Sequence, residues 1–285
     1  MRVVVTGAAG LLGRHVAAAC LAGGHDVLGI DAAPQPAGGW DRVSADLADL
    51  GTAAQLMRGA DAVIHCAAIP RPLGVAPAEV YRVNMATVYA VAEAARICGV
   101  GLLLYASSFS VLGYPFAPRL PVPRAVPIDE DHPVAPQDIY GTTKWLGEEL
   151  IEAMVRQGAF RAISLRMPWI QTPESFARDI LPRRDTPAAA ADLWAYLDAR
   201  DAGAAFAAAL DWNGAGHLRC YLSAADSYAE TPSGDLVAAA FGAALPGRAG
   251  LVGHAALIDC ARARRALGFT PRHSWRDYPP EGETT

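Results

Sequence analysis

One stretch limits the fold more than any other. Residues Arg2 to Thr6 form a short run of β-branched residues that passes at once into Gly7-Ala8-Ala9-Gly10-Leu11-Leu12-Gly13. Leu11 to Leu21 then carries a helical pattern, which Gly23-Gly24 stops. Asp26 to Ile30 reads as a second apolar strand, closed by Asp31. This is a strand–helix–strand unit with a glycine-rich first turn. Such a turn brings backbone N–H groups and a helix N-terminus close to a pyrophosphate. Asp31 would accept hydrogen bonds from ribose hydroxyls and repel a 2′-phosphate, so NAD is expected over NADP. Arg14 and Arg42 are the nearby cations that would soften this preference.

A second constellation lies further along. Tyr140 and Lys144 are four apart, so on a helix they share one face. An ammonium beside a phenol favours the ionised phenol, and a phenol tuned this way exchanges a proton with an alcohol or carbonyl. The expected effect of Lys144 is to bring Tyr140 towards working pH. The spacing alone is common, and its weight comes from the strand end at Leu102 to Ala106, which delivers Ser107-Ser108. A serine there either caps a turn or serves the chemistry.

The 285 residues are 52% hydrophobic and carry a net charge of -5, enough for one large α/β domain or slightly more. The absence of a basic patch argues against a nucleic-acid surface. No apolar stretch is long enough to span a membrane. The start lacks the character of a signal peptide, and the expected location is the cytoplasm. Five scattered cysteines and seven histidines without metal-ligand spacing predict free thiols and no metal site.

Taken together, the GxxGxxG turn, Tyr140-x-x-x-Lys144 and Ser107-Ser108-Phe109-Ser110-Val111-Leu112-Gly113 resemble the extended short-chain dehydrogenase/reductases, the NAD-dependent epimerase/dehydratase family. Within that family the features lean towards the uronate and aldose dehydrogenases. The resemblance implies a doubly wound Rossmann-type parallel sheet with a small C-terminal substrate-binding region. Residues 1–166 would hold NAD and the catalytic residues. Residues 167–278 would be mostly substrate-binding, with some elements returning to the first domain, and 279–285 would be a disordered tail.

Residue by residue, the resemblance implies Ser108, Tyr140 and Lys144 as the catalytic set. It implies cofactor contacts from Gly7, Gly10, Leu11, Leu12, Gly13, Asp31, Asp46, Leu47, Ala67, Ala68, Pro168 and Ile170, besides Tyr140 and Lys144. Asn84 would brace the site, and His65 is read as a structural strand residue. Candidates for substrate contact are Arg71, Ser108, Phe109, Ser110, Arg166 and Trp169, with Arg166 near a substrate carboxylate. The run Asp129-Glu130-Asp131 is read as a solvated loop edge.

Dehydratases of the family place an acid pair where this chain has Phe109 and Ser110, so dehydration is disfavoured. Nucleotide-sugar epimerases carry a diphosphate-clamping Arg where this chain has Trp194, and an indole cannot form paired charged hydrogen bonds. The expected activity is NAD-dependent hydride transfer at a secondary or anomeric hydroxyl of a sugar or sugar acid. The alternatives are a UDP- or dTDP-sugar 4-epimerase or reductase and, at a distance, a non-catalytic NAD-binding protein. A homodimer through the helices around Val80 to Cys98 and Asp138 to Arg156 is implied by the same resemblance.

Overall fold

A computed structural model describes residues 1–35, 37–184 and 186–279. The first apolar run is β1 (Arg2–Thr6), followed by α1 (Leu11–Ala22) and β2 (Asp26–Asp31). Then come β3 (Asp41–Ser44), α2 (Leu50–Met57), β4 (Ala62–His65), α3 (Pro77–Ile97), β5 (Leu102–Ser108), α4 (Ile139–Arg156) and β6 (Arg161–Met167). The strands form a parallel sheet in the order β3-β2-β1-β4-β5-β6, with β9 (His217–Tyr221) added beside β6.

Both faces of the central strands β1, β4 and β5 are covered, which is why these read as near-continuous buried runs, while the edge strand β3 is polar and largely exposed. On one face Val16, Ala17 and Cys20 of α1 pack with Ala202, Ala205 and Phe206 of α6 (Ala199–Ala209). On the other, Ala53 and Met57 of α2, Val88 and Val91 of α3, and Ile151 and Met154 of α4 pack against Leu103 and Tyr105. Parallel connections of this kind are right-handed, and the strand order reverses between β1 and β4. A crevice opens there at the carboxyl ends of the strands, where ligands bind in sheets of this type.

The remaining elements lie beyond β6. A two-stranded sheet joins β7 (Trp169–Gln171) to β8 (Tyr196–Asp198), and α5 (Pro173–Asp179) follows β7. Helices α7 (Ser233–Phe241) and α8 (Ala261–Leu267) come after β9. This part has its own apolar cluster, which includes Phe176, Tyr196, Tyr228 and Val237, with Trp275 and Tyr278 packed against it.

Helix α8 begins only at Ala261, because Ile128 and Ile258 pair as an isolated bridge and hold the preceding stretch extended. One expectation needs correction. The acidic run is not all solvated edge: the Glu130 side chain is 4% exposed and pairs with Arg262, and its Oε1 accepts the Tyr221 N–H at 2.8 Å. It pins the loop between β5 and α4 onto β9. Of the tail at 279–285, all but Pro279 lies outside the described residues.

Candidate active site

The glycine turn between β1 and α1 is built around contacts that exclude a side chain. A Cβ on Gly7, whose φ is +71°, would stand 2.7 Å from the Ala67 backbone nitrogen. One on Gly13 would stand 2.0 Å from the Gly7 carbonyl oxygen. The segment just after β4, at Cys66 and Ala67, therefore runs directly against the turn across the switch point. The Thr6 hydroxyl fixes this approach, accepting the Cys66 and Ala67 N–H groups at 3.2 Å each. Asp31, at the end of β2, accepts the Ala9 N–H at 2.9 Å and the Ala33 N–H at 3.0 Å. Asp46 is exposed beside the buried Leu47. The small residues, the open helix start at Leu11 and Leu12 and the acid at the next strand end fit the pyrophosphate and ribose of a dinucleotide.

The reactive groups gather at the ends of β5 and α4. Asp138 caps α4, its Oδ1 accepting the Gly141 N–H at 2.9 Å, and this starts the helix one residue before Tyr140. Gly141 lets the helix lie against the segment after β5, since a Cβ there would be 2.6 Å from the Ser110 carbonyl oxygen. The Ser108 hydroxyl accepts the Ser110 N–H at 3.1 Å and donates to Ser110 Oγ at 3.0 Å. Lys144 is 3% exposed, donates from Nζ to the Ala106 carbonyl at 2.7 Å and lies 5.7 Å from the centre of the Tyr140 ring. Asn84 ties these parts together: it donates to Thr143 Oγ1 at 3.1 Å and exchanges hydrogen bonds with the backbone of Ile69.

The electrostatics differ from the expectation. Burial pushes the Tyr140 phenol up to about 12; hydrogen bonding with Ser108 opposes the rise and the Asp138 carboxylate adds to it. Burial also pulls the Lys144 ammonium down to about 8, against the influence of Cys66 and Glu148. Desolvation is thus the main control on Tyr140. His65 is structural, as read: 2% exposed, hydrogen-bonded to Thr6 Oγ1 at 2.8 Å and stacked on Tyr105. Burial, then the neighbouring Lys144, lowers it to about 3, so it stays neutral.

Among the substrate candidates, Arg166 is corrected. Its guanidinium is 4% exposed and gripped by Glu148, with Nε at 3.0 Å and Nη2 at 2.8 Å from the carboxylate oxygens, while Nη1 meets the Tyr221 hydroxyl at 3.3 Å. Burial works against its charge, yet the hydrogen bonds to Glu148 hold its pKa above the ordinary value. The register explains the placement: Arg166 lies opposite Ser107 on β5, so it shares the face covered by α4. Phe109 joins the C-terminal apolar cluster, and Ser110 is buried against Ser108. Trp169 is half-buried with the Arg183 guanidinium 5.3 Å above its ring, and Arg183 also pairs with Asp192 at 2.9 Å. Arg71 stays exposed in the loop after β4, where its charge reaches Asp179 of α5. Pro168 is buried, and Ile170 packs towards the main sheet.

The residue that sequence reasoning missed is Glu148. The signal was present, because Tyr140, Lys144 and Glu148 are spaced four apart along one helix face.

The profile of the NAD dependent epimerase/dehydratase family matches residues 3–217. The chain belongs to this family. The doubly wound fold, the NAD cofactor and the standing as an NAD-dependent oxidoreductase of the extended short-chain type hold with it. The chain is 32% identical to the L-arabinose 1-dehydrogenase (NAD(P)(+)) of Haloferax volcanii over 178 residues, covering 61% of this chain and 68% of that protein. It is 30% identical to a UDP-glucose 4-epimerase of Azospirillum brasilense over 177 residues, 58% of this chain and 48% of that protein. A short-chain dehydrogenase/reductase superfamily protein of Agrobacterium tumefaciens, solved with bound NAD, matches with a TM-score of 0.73 at 26% identity over 97% of this chain and 94% of that one. No described helix is long and apolar enough to cross a membrane. Among the described residues, no group of three or more His, Cys, Asp or Glu side chains is placed to hold a metal ion.

Proposed function

We propose that the protein oxidises a secondary or anomeric hydroxyl of a free sugar or sugar acid, using NAD. The observation that carries this reading is Trp194. By the family resemblance it takes the position where a nucleotide-sugar enzyme would place a cation for the diphosphate. Here it is 5% exposed and edge-on to Phe241, part of the core and not of a clamp. Nearby Arg183 is engaged by Asp192 and Trp169.

In this reading residues 1–166 hold the cofactor. The turn at Gly7, Gly10 and Gly13 with Leu11 and Leu12 receives its phosphates, and Asp31, Asp46 and Leu47 receive the adenosine. Ala67, Ala68, Pro168 and Ile170 line the remainder. NAD, when bound, supplies the acceptor for the hydride. Ser108 and Tyr140 hydrogen-bond the substrate hydroxyl. Tyr140, ionised as the phenolate, takes its proton as the C–H bond gives up its electron pair as hydride, and the carbonyl forms. Lys144 orients the cofactor's ribose and opposes the burial that keeps Tyr140 protonated. Residues 167–278 shape most of the sugar side, Trp169 among them, while some of their elements return to the first domain; Arg71, from the loop after β4, completes that side.

The test is to incubate the protein with NAD and, separately, free aldoses or uronates and UDP- or dTDP-sugars. NADH accumulating with a free sugar supports the proposal. Interconversion of nucleotide sugars without NADH favours the 4-epimerase reading, which the likeness to UDP-glucose 4-epimerases keeps in view. The place of the protein is proposed to be the cytoplasm. Its form is proposed to be a homodimer, because Tyr81, Tyr89 and Ile97 of α3 and Trp145 of α4 leave large apolar surface exposed on the paired helices. Light scattering during size exclusion reads the mass.

A further inference from the structure

Glu148 lies one helical turn beyond Lys144 and is fully buried. Its Oε1 accepts the Ser107 hydroxyl at 2.5 Å and Arg166 Nε at 3.0 Å; its Oε2 accepts Arg166 Nη2 at 2.8 Å and lies 3.4 Å from Arg219 Nε. One carboxylate on α4 therefore ties together β5, β6 and β9. Lys144, on the same face, holds the Ala106 carbonyl. Two successive residues of β5, Ala106 and Ser107, are thus fastened to α4 by Lys144 and Glu148, and the next residue is Ser108.

Helix-to-sheet adhesion alone does not call for charges. Replacing a buried ion pair by apolar residues of similar size is often neutral or stabilising. What apolar contacts lack is direction: they let a helix slide along a strand, whereas hydrogen bonds to one carboxylate fix its height. We propose that Glu148, held by Arg166, is a positioning residue that sets the height of Ser108 against Tyr140 by gripping the hydroxyl of Ser107. The inference rests on the reading of Ser108 and Tyr140 as the groups that bind the reacting hydroxyl. It assigns Arg166, expected at the substrate, to the support of the strand end.

The test compares wild type with the double variant Glu148→Met/Arg166→Met and with Ser107→Ala, measuring thermal stability, Kd for NAD, KM and kcat. The double variant is expected to melt at or above the wild-type temperature, bind NAD as before and lose kcat by about 10- to 100-fold, the scale of a small misplacement of reacting groups. A purely structural role predicts wild-type kcat in that folded variant, and this result would overturn the proposal. If the double variant does not fold, Ser107→Ala decides, since it removes only the grip on β5: a severalfold fall in kcat sustains the proposal and an unchanged kcat ends it. A wild type that turns over neither free nor nucleotide sugars sinks the functional reading instead. Crystal structures then decide this one, because Ser108 superposing on wild type relative to Tyr140 in the double variant would refute it.

Discussion

The two sides of the cleft are built on different terms. From β1 to β6 the chain is a regular parallel sheet, its site built closely on backbone: glycines that admit no Cβ and a carbonyl that accepts a lysine. Beyond β6 the elements are short, and cohesion comes from large side chains. Phe176 alone packs on Tyr196, Trp275 and Tyr278, with ring centres 5.3–5.7 Å apart. The first side is specified by the residues it cannot change, and the second by volumes that other residues could fill. A binding site placed between them keeps one wall fixed while the other is free to vary.

Four outcomes would sharpen or break this contrast. The largest belongs to the fixed wall: Tyr140→Phe should lower turnover by about two to four orders of magnitude, while fluorescence titration shows NAD affinity kept. Near-normal turnover would remove Tyr140 from the chemistry. Next, Phe176→Ala on the packed wall should cost about 3–5 kcal/mol in denaturant unfolding. If the walls are cooperative through β9, the loss appears as one earlier transition; a separate early transition confined to the second wall would break the comparison in favour of two independent units.

Third, His65 in the fixed wall should make the protein acid-sensitive. Its folded pKa, about 3, lies below the unfolded value of about 6.5, so below pH 6.5 the unfolded chain takes up a proton that the folded chain refuses. Its contribution is complete above pH 6.5 and falls by about 1.4 kcal/mol per pH unit as pH drops towards 3, or about 2 kcal/mol by pH 5. His65→Asn, which keeps an acceptor for Thr6, should flatten that limb in unfolding curves at pH 7 and pH 5. An unchanged slope would assign the acid loss elsewhere. Smallest, Asp31→Ala should narrow the preference for NAD over NADP by roughly tenfold, about 1.4 kcal/mol, and a preference unmoved in steady-state comparison would discharge Asp31 as the selector.

The same contrast explains what the sequence disclosed. The close approach at Gly7 and Gly13 and the shared helix face of Tyr140 and Lys144 were legible because each answers a local demand that leaves a spacing in the chain. Arg166 was misassigned because its partner, Glu148, is 18 residues away and meets it only through the register of β5 with β6. The buried state of Glu130 depends on β9, 91 residues on, and no local pattern announces it. The effect of Lys144 on Tyr140 was overstated for a related reason: proximity is readable from spacing, but the loss of solvent that dominates both groups is a property of the whole fold.

The return of the chain to the main sheet at β9 has a consequence for how this protein is made. Strand β6 ends at Met167 and its neighbour β9 begins at His217, after β7, α5, β8 and α6. A ribosome adding about 5–20 residues per second takes roughly 3–10 s to cross that interval. Throughout it the nascent chain exposes β6 as an apolar edge, with Arg166 and Glu148 still lacking Arg219. The last strand to arrive is the one that closes the sheet, so translation speed through residues 168–216 governs how long newborn chains remain open to pairing with one another.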